Sequence, residues 1–280
     1  MKQELLHELD KEWSMESMPD YDERQRIRNQ GDRWMILPLL PDEKISAMIR
    51  LEDQTEGQYL CMITRNGIIK RTRLDAYANV RKSGLIAINL DEGDELAWVK
   101  ITNGDDQVIV ATRNGMSICF KEEDARAIGR TARGVRAIEL DEGDVVVGMA
   151  IVGEGAATLT VSESGLGRRT PYDEYRLQGR GGKGLRNYYC DKNGPVAGFC
   201  SVDDEHDIVL ITDSGIIIRI PSDQISMQSR YAGGVRVMRV DEETKLIGIT
   251  VVEKQEEDNS APAEETEEAE TETQEVSSEE

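Results

Sequence analysis

The chain is poor in the residues that carry most active-site chemistry. Histidine occurs twice, at His7 and His206, and cysteine four times, at Cys61, Cys119, Cys190 and Cys200. No two cysteines form a C-x-x-C pair, and most sit in apolar runs such as "YLCMI" and "SICF". That pattern reads as reduced, buried thiols and leaves out the common zinc and redox spacings. His206 stands in "DDEHD", which reads as a solvated acidic loop rather than a cation site. Paired carboxylates, a Ser/His/Asp set and a Walker motif are all lacking, so neither catalysis nor ATP hydrolysis is expected of these residues. Aromatics make up only 5% of the chain and form no ladder beside the basic residues, which disfavours single-strand stacking. No apolar run is long enough to span a membrane, and no signal peptide is visible.

Helical signal is scarce as well. In "ELLHELDKEW", Leu5, Leu6, Leu9 and Trp13 share a face, and "DARAIG" suggests a single turn between two hairpins. No helix suited to reading base edges is evident, so sequence-specific readout is not expected.

Charge is plentiful but uneven. The net charge of the 280 residues is −21. Residues 253–280 hold thirteen acidic residues against one lysine, Lys254. That low-complexity stretch is too poor in apolar residues to fold and is expected to be a disordered tail. Residues 59–250 hold 25 Lys/Arg against 28 Asp/Glu, so this part is nearly neutral and a partner of negative charge is not excluded.

A repeat organises the middle of the chain. Four segments align on a turn glycine: "TRNGIIKRTRLDAY", "TRNGMSICFKEEDA", "SESGLGRRTPYDEY" and "TDSGIIIRIPSDQI". The turn glycines are Gly67, Gly115, Gly165 and Gly215. A second glycine follows each, at Gly84, Gly134, Gly184 and Gly234, fifty residues apart every time. Each unit reads as four short strands, such as "YLCMIT", "IIKRTR", "LIAINL" and "LAWVKI" in the first. "VRVMRV" (235–240) shows the alternation of a half-buried strand. Four-stranded units of this period point to an all-β, propeller-like array in which stacking of blades makes the core.

The predicted blades fall near 59–99, 108–149, 157–199 and 207–249. Residues 31–51, "GDRWMILPLLPDEKISAMIRL", match only the second half of a unit. The array is therefore four complete blades and a half, over 31–252, preceded by a non-repeat segment, 1–30, that is helical or disordered. Either the array stays open or residues 1–30 supply a substitute strand.

Basic residues recur at locked positions. Four residues before the second glycine stand Arg130, Arg180 and Arg230; two residues after it stand Arg136, Arg186 and Arg236. The first unit has Val80 and Ile86 instead. Arg81, Lys82, Arg133 and Lys183 come from the same loops. In a circular array these residues line one curved rim, the footprint of a surface that follows a phosphate backbone. The stretch "QGRGGKG", Gln178 to Gly184, adds Gly181 and Gly182, whose backbone N–H groups are expected to approach an anion closely. The plainer reading is that the arginines pair with local carboxylates such as Asp173 and Glu174.

With these residues in view, the chain resembles the C-terminal domain of the bacterial DNA gyrase A subunit. The carriers are "LLPDEKISAMI", "ATRNG", "GRTARGVRAIELDEGD", "SGLGRRTPYDEY", "QGRGGKG" and "DSGIIIRI". The resemblance implies a β-pinwheel whose blades exchange strands, and a basic rim that bends and wraps duplex DNA. It implies a cytoplasmic bacterial protein whose partners are DNA, the gyrase B subunit and the remainder of the gyrase A subunit. ATP and magnesium then belong to other parts of the holoenzyme, and this chain is expected to be an N-terminally truncated fragment without the cleavage tyrosine. Two departures stand out: Gly179 occupies a position where the family's box is basic, and the box-like stretch falls in the third unit rather than the first. The A subunit of topoisomerase IV is similar in blade pattern, and a protein-binding propeller scaffold is the reading from another class.

Overall fold

The computed structural model describes residues 56–79, 84–241 and 243–254, together with Ile45 and Ile49. The expected N-terminal helix, nearly all of the half unit and the acidic stretch from residue 255 onward lie outside the described residues.

Each repeat opens with an antiparallel hairpin on its turn glycine. The pairs are β1 (Tyr59–Thr64) with β2 (Ile68–Arg73), β4 (Gln107–Thr112) with β5 (Met116–Lys121), β8 (Ala157–Ser162) with β9 (Leu166–Pro171), and β12 (His206–Thr212) with β13 (Ile217–Pro221). A hydroxyl residue ends the first strand every time: Thr64, Thr112, Ser162 and Thr212. Its side-chain oxygen accepts the amide four residues on at 3.0–3.2 Å, which closes the turn a second time across the glycine.

The third strand of each blade is the inner one. β3 (Leu96–Thr102), β7 (Val146–Ile151), β11 (Val196–Val202) and β15 (Leu246–Glu253) pair with β1, β4, β8 and β12. Residues of all four inner strands line one cavity of about 710 Å³, so the blades surround a common axis. Inner strands of neighbouring blades approach closely at two glycines. A Cβ on Gly148 would lie 2.0 Å from the Phe199 carbonyl oxygen, and one on Gly198 2.5 Å from the Ile249 side chain. The apolar core runs between blades: Cys61, Ile63 and Ile69 of the first pack with Val110, Ile118 and Phe120 of the second.

The fourth strand of each of the first three blades comes from the following repeat. β6 (Val135–Arg136) pairs with β2, β10 (Leu185–Arg186) with β5, and β14 (Val235–Arg236) with β9. This strand exchange makes the array a β-pinwheel. Three sequence expectations change here. "LIAINL" forms no strand. "VRVMRV" keeps strand geometry only over Val235–Arg236, because the segment must turn off the neighbour's edge to enter its own blade. The helical turn expected in "DARAIG" lies just upstream, as a 3-10 turn at Glu122–Asp124, while Ala127 bridges to Arg71.

β13 has β12 on one side and, among the described residues, nothing on the other. Ile217 there is 63% exposed, whereas its equivalents Ile69 and Ser117, which lie under exchanged strands, are 0% and 1% exposed.

Candidate nucleic-acid interface

The exchanged segment forms the outer rim of each blade. It first touches the neighbour's second hairpin strand through single bridges, Ala127 with Arg71, Leu177 with Cys119 and Met227 with Arg169. It then loops outward and returns as the two-residue strand. The repeat-locked arginines stand on this loop and strand.

Arg136, Arg186 and Arg236 occupy the second position of β6, β10 and β14, and all three are exposed. None has a carboxylate within ion-pair distance among the described residues. The Arg186 guanidinium lies over the Tyr189 ring at 5.5 Å. These three are free to meet an anion. Arg126 and Arg176 are also exposed at equivalent places, beside the bridges that start the segment. Sequence reasoning passed them over; the signal was present, because they too stand fifty residues apart, eight before the second glycine.

The arginines four residues before the glycine behave differently. Arg180 donates from Nη1 to the Arg136 carbonyl at 2.5 Å and from Nε to the Asp124 carbonyl at 3.1 Å. Arg230 repeats the device, donating to the Arg186 carbonyl at 2.8 Å. It is 9% exposed and lies 3.8 Å from Glu174, one of the carboxylates named as an alternative partner. Thus each of these two arginines holds the backbone of an exposed arginine in the preceding repeat. Arg130 is half-buried, and its carbonyl accepts from Lys70.

Within "QGRGGKG" the glycines serve the fold. Gly181, at φ +84°, turns its N–H inward to the Ala137 carbonyl at 2.7 Å instead of outward. Gly182 accepts from the Glu139 amide at 2.9 Å. Gly184 passes so close to β5 that a Cβ would sit 2.1 Å from the Ser117 carbonyl oxygen. Gln178 anchors the loop through its amide to the Cys119 carbonyl at 2.8 Å. Lys183 is exposed and pairs with Asp141 at 3.2 Å, which holds its ammonium above the usual lysine value. Arg133 pairs with Asp91. Arg81 and Lys82 lie outside the described residues.

Two fully buried cations went unnoticed in the sequence. Lys70 and Arg168, three residues after their turn glycines, are both 0% exposed. Desolvation first, and the Arg130 charge second, push the Lys70 pKa down to about 8. The thiols of Cys61 and Cys200 are pushed up to about 12, chiefly by burial, which makes them poor nucleophiles. His206 Nδ1 meets Asp203 at 2.5 Å, a contact within its own loop.

Comparison with known proteins places this architecture. The family model described as "DNA gyrase C-terminal domain, beta-propeller" matches residues 58–103, 106–153, 158–195 and 206–253, one stretch per blade. The DNA gyrase A subunit of Halalkalibacterium halodurans is 54% identical over 101 residues, 36% of this chain and 12% of that protein. Its counterpart from Clostridium acetobutylicum is 50% identical over the same length and the same shares. The match thus spans about an eighth of those relatives. Among solved structures, the C-terminal domain of DNA topoisomerase IV superposes with a TM-score of 0.71 at 27% identity, over 81% of this chain and 70% of that one. The DNA gyrase A C-terminal domain gives 0.63 at 27% identity, over 76% and 75%. With four matched stretches on four blades, the chain belongs to the DNA gyrase C-terminal domain family.

Proposed function

We propose that this chain binds duplex DNA through its phosphates, without sequence preference, and bends the duplex along the blade rim. In this reading it is the wrapping domain of a gyrase A subunit in the bacterial cytoplasm, working with the gyrase B subunit and with the remainder of its own polypeptide. The cleavage chemistry, ATP and magnesium reside in those other parts. The observation that carries the reading is the row of Arg136, Arg186 and Arg236, exposed and, among the described residues, without carboxylate partners at the same place on three successive blades. A protein-binding scaffold gives no reason for unpaired arginines at a fifty-residue period. A topoisomerase IV domain shares the blade pattern and has the higher TM-score of the two solved structures, 0.71 against 0.63. Identities of 54% and 50% to gyrase A subunits favour gyrase.

The test is a salt titration of binding to a duplex. Changing the three arginines to Ala removes up to three phosphate contacts, so the slope of log K against log salt is expected to fall by about 2.7, at about 0.9 per contact. The loss should be the same for unrelated sequences. An unchanged slope with intact folding would remove these arginines from the interface.

A further inference from the structure

We propose that Lys70 and Arg168 are positioning residues for the DNA-facing rim, and that the "QGRGGKG" loop performs the same task with backbone in place of a side chain. The proposal rests on the DNA-binding reading for its consequence, though not for its geometry.

The geometry repeats from blade to blade. Lys70 donates from Nζ to the carbonyl of Ala87, at 2.6 Å, and to the carbonyl of Arg130. Arg168 donates from Nη2 to the carbonyls of Asn187, at 2.5 Å, and Arg230, at 2.9 Å. Ala87 and Asn187 are equivalent, three residues after the second glycine; Arg130 and Arg230 are equivalent, four residues before it. Each buried cation therefore ties its own repeat to the exchanged loop of the next. The second blade has Ile118 at the cation's position. There the equivalent carbonyl, that of Ala137, accepts from the Gly181 N–H at 2.7 Å. A residue with positive φ, here +84°, brings that amide inward, which glycine does without strain.

Neither cation has a carboxylate within ion-pair distance among the described residues. A buried charge without a carboxylate partner is costly, even where, as at Arg168, the guanidinium also lies over the Tyr188 ring at 5.1 Å, and an apolar residue such as Ile118 fits the same site. What the cation adds is a fixed loop. The loop in turn carries Arg130 or Arg230 and leads into the strand bearing Arg136 or Arg236. Pinning it sets where the exposed arginines stand before DNA arrives, which lowers the ordering cost of binding.

The experiment compares K70M, R168M and the conservative K70R in the full chain. Hydrogen exchange of the Asn89 amide, which donates to the Ala132 carbonyl at 3.3 Å, reports the first loop. Exchange of the Gln228 amide, which donates to the Arg169 carbonyl at 2.8 Å, reports the third. Orphaning buried carbonyls is expected to speed exchange in the affected loop about tenfold, with hairpin amides unchanged, and to weaken duplex binding by a similar factor. K70R is expected to restore both. Unchanged loop exchange in both Met variants overturns the pinning, whatever DNA does. Faster exchange with unchanged DNA affinity overturns the link to the rim. If the wild-type chain binds no duplex, the DNA reading fails, and the exchange arm still judges the pinning alone. Should the Met variants not fold, K70Q and R168Q, which keep a polar donor at each site, replace them in both readouts, and loop exchange unchanged in both Gln variants overturns the pinning.

Discussion

Two glycines of the "QGRGGKG" loop make opposite predictions. Gly184 has φ +77°, and a Cβ there would lie 2.1 Å from the Ser117 carbonyl oxygen. Gly179 has no heavy atom within 4 Å of its Cβ position and no positive φ. In Gly184→Ala, the left-handed backbone alone costs about 1–2 kcal/mol. Relieving the backbone contact requires the exchanged strand to move outward by roughly an ångström, which strips the two residue pairs of β10 on β5, Leu185 with Ser117 and Arg186 with Met116. Each lost pair removes net hydrogen-bond stabilisation of about 1 kcal/mol. The sum is about 3–4 kcal/mol, a large share of the roughly 5–15 kcal/mol of an ordinary domain. Gly179→Ala should stay within about 0.5 kcal/mol of the wild type, as surface changes usually do. Urea unfolding, with exchange at β5 amides to catch a locally opened blade, measures both. A Gly184→Ala variant as stable as Gly179→Ala, with β5 amides still protected, would refute the reasoning.

Lys70 makes a pH prediction. Its folded pKa, about 8, lies below its unfolded value, so the folded state disfavours the charged form. The penalty is full below pH 8 and is relieved as pH rises toward the unfolded value of about 10.4, so the wild type should gain stability on K70M across that window. A flat difference between the two chains in that range would contradict the assigned burial. The edge of β13 that has no partner among the described residues should exchange faster than β2, β5 or β9, and Ile217→Lys should cost under about 0.5 kcal/mol where Ile69→Lys disrupts folding. Truncation after Lys254 should raise duplex affinity at low salt and less so at high salt, because the acidic stretch competes for the same arginines. Equal affinities at low salt would leave that stretch without a role at the rim.

Much of the fold was legible because its signals are local. A turn glycine preceded by Thr or Ser marks every hairpin, and the blade limits follow within a few residues. What the period did not show is which hairpin each short strand joins. "GVRAIEL" reads the same whether it closes its own blade or the previous one, since pairing partners are set by contacts such as Val135 with Ile69, 66 residues apart. The rim arginines were legible by spacing, yet spacing treats Arg130 and Arg136 alike. The structure separates them. Arg136 stands outward on a strand, whereas Arg180 and Arg230, the counterparts of Arg130, fold back onto carbonyls. The glycines of "QGRGGKG" were assigned to anion approach, and Gly181 instead satisfies a buried carbonyl. Lys70 and Arg168 were hidden because a cation inside a strand pattern ordinarily marks the solvent face.

The division of labour among the arginines sets the footprint. On the first blade, Arg126 stands beside the bridge to Arg71, and Arg136 pairs with Ile68. Those two points on β2 are three residues apart, about 10 Å at about 3.3 Å per residue. One strand of B-DNA rises about 3.4 Å per nucleotide, so on the proposed DNA-binding reading the two cations would span roughly three nucleotides and meet non-adjacent phosphates. The second blade repeats the pair with Arg176 and Arg186. On the third, Ser226 replaces the first cation and Arg236 stands alone. The contact would therefore thin along the array, from two exposed arginines per blade to one. On that reading a duplex following the rim would be held most firmly across the first two blades, and its bend should originate there, beside the "QGRGGKG" loop, whose Arg180 holds the backbone of Arg136 and so couples those two blades.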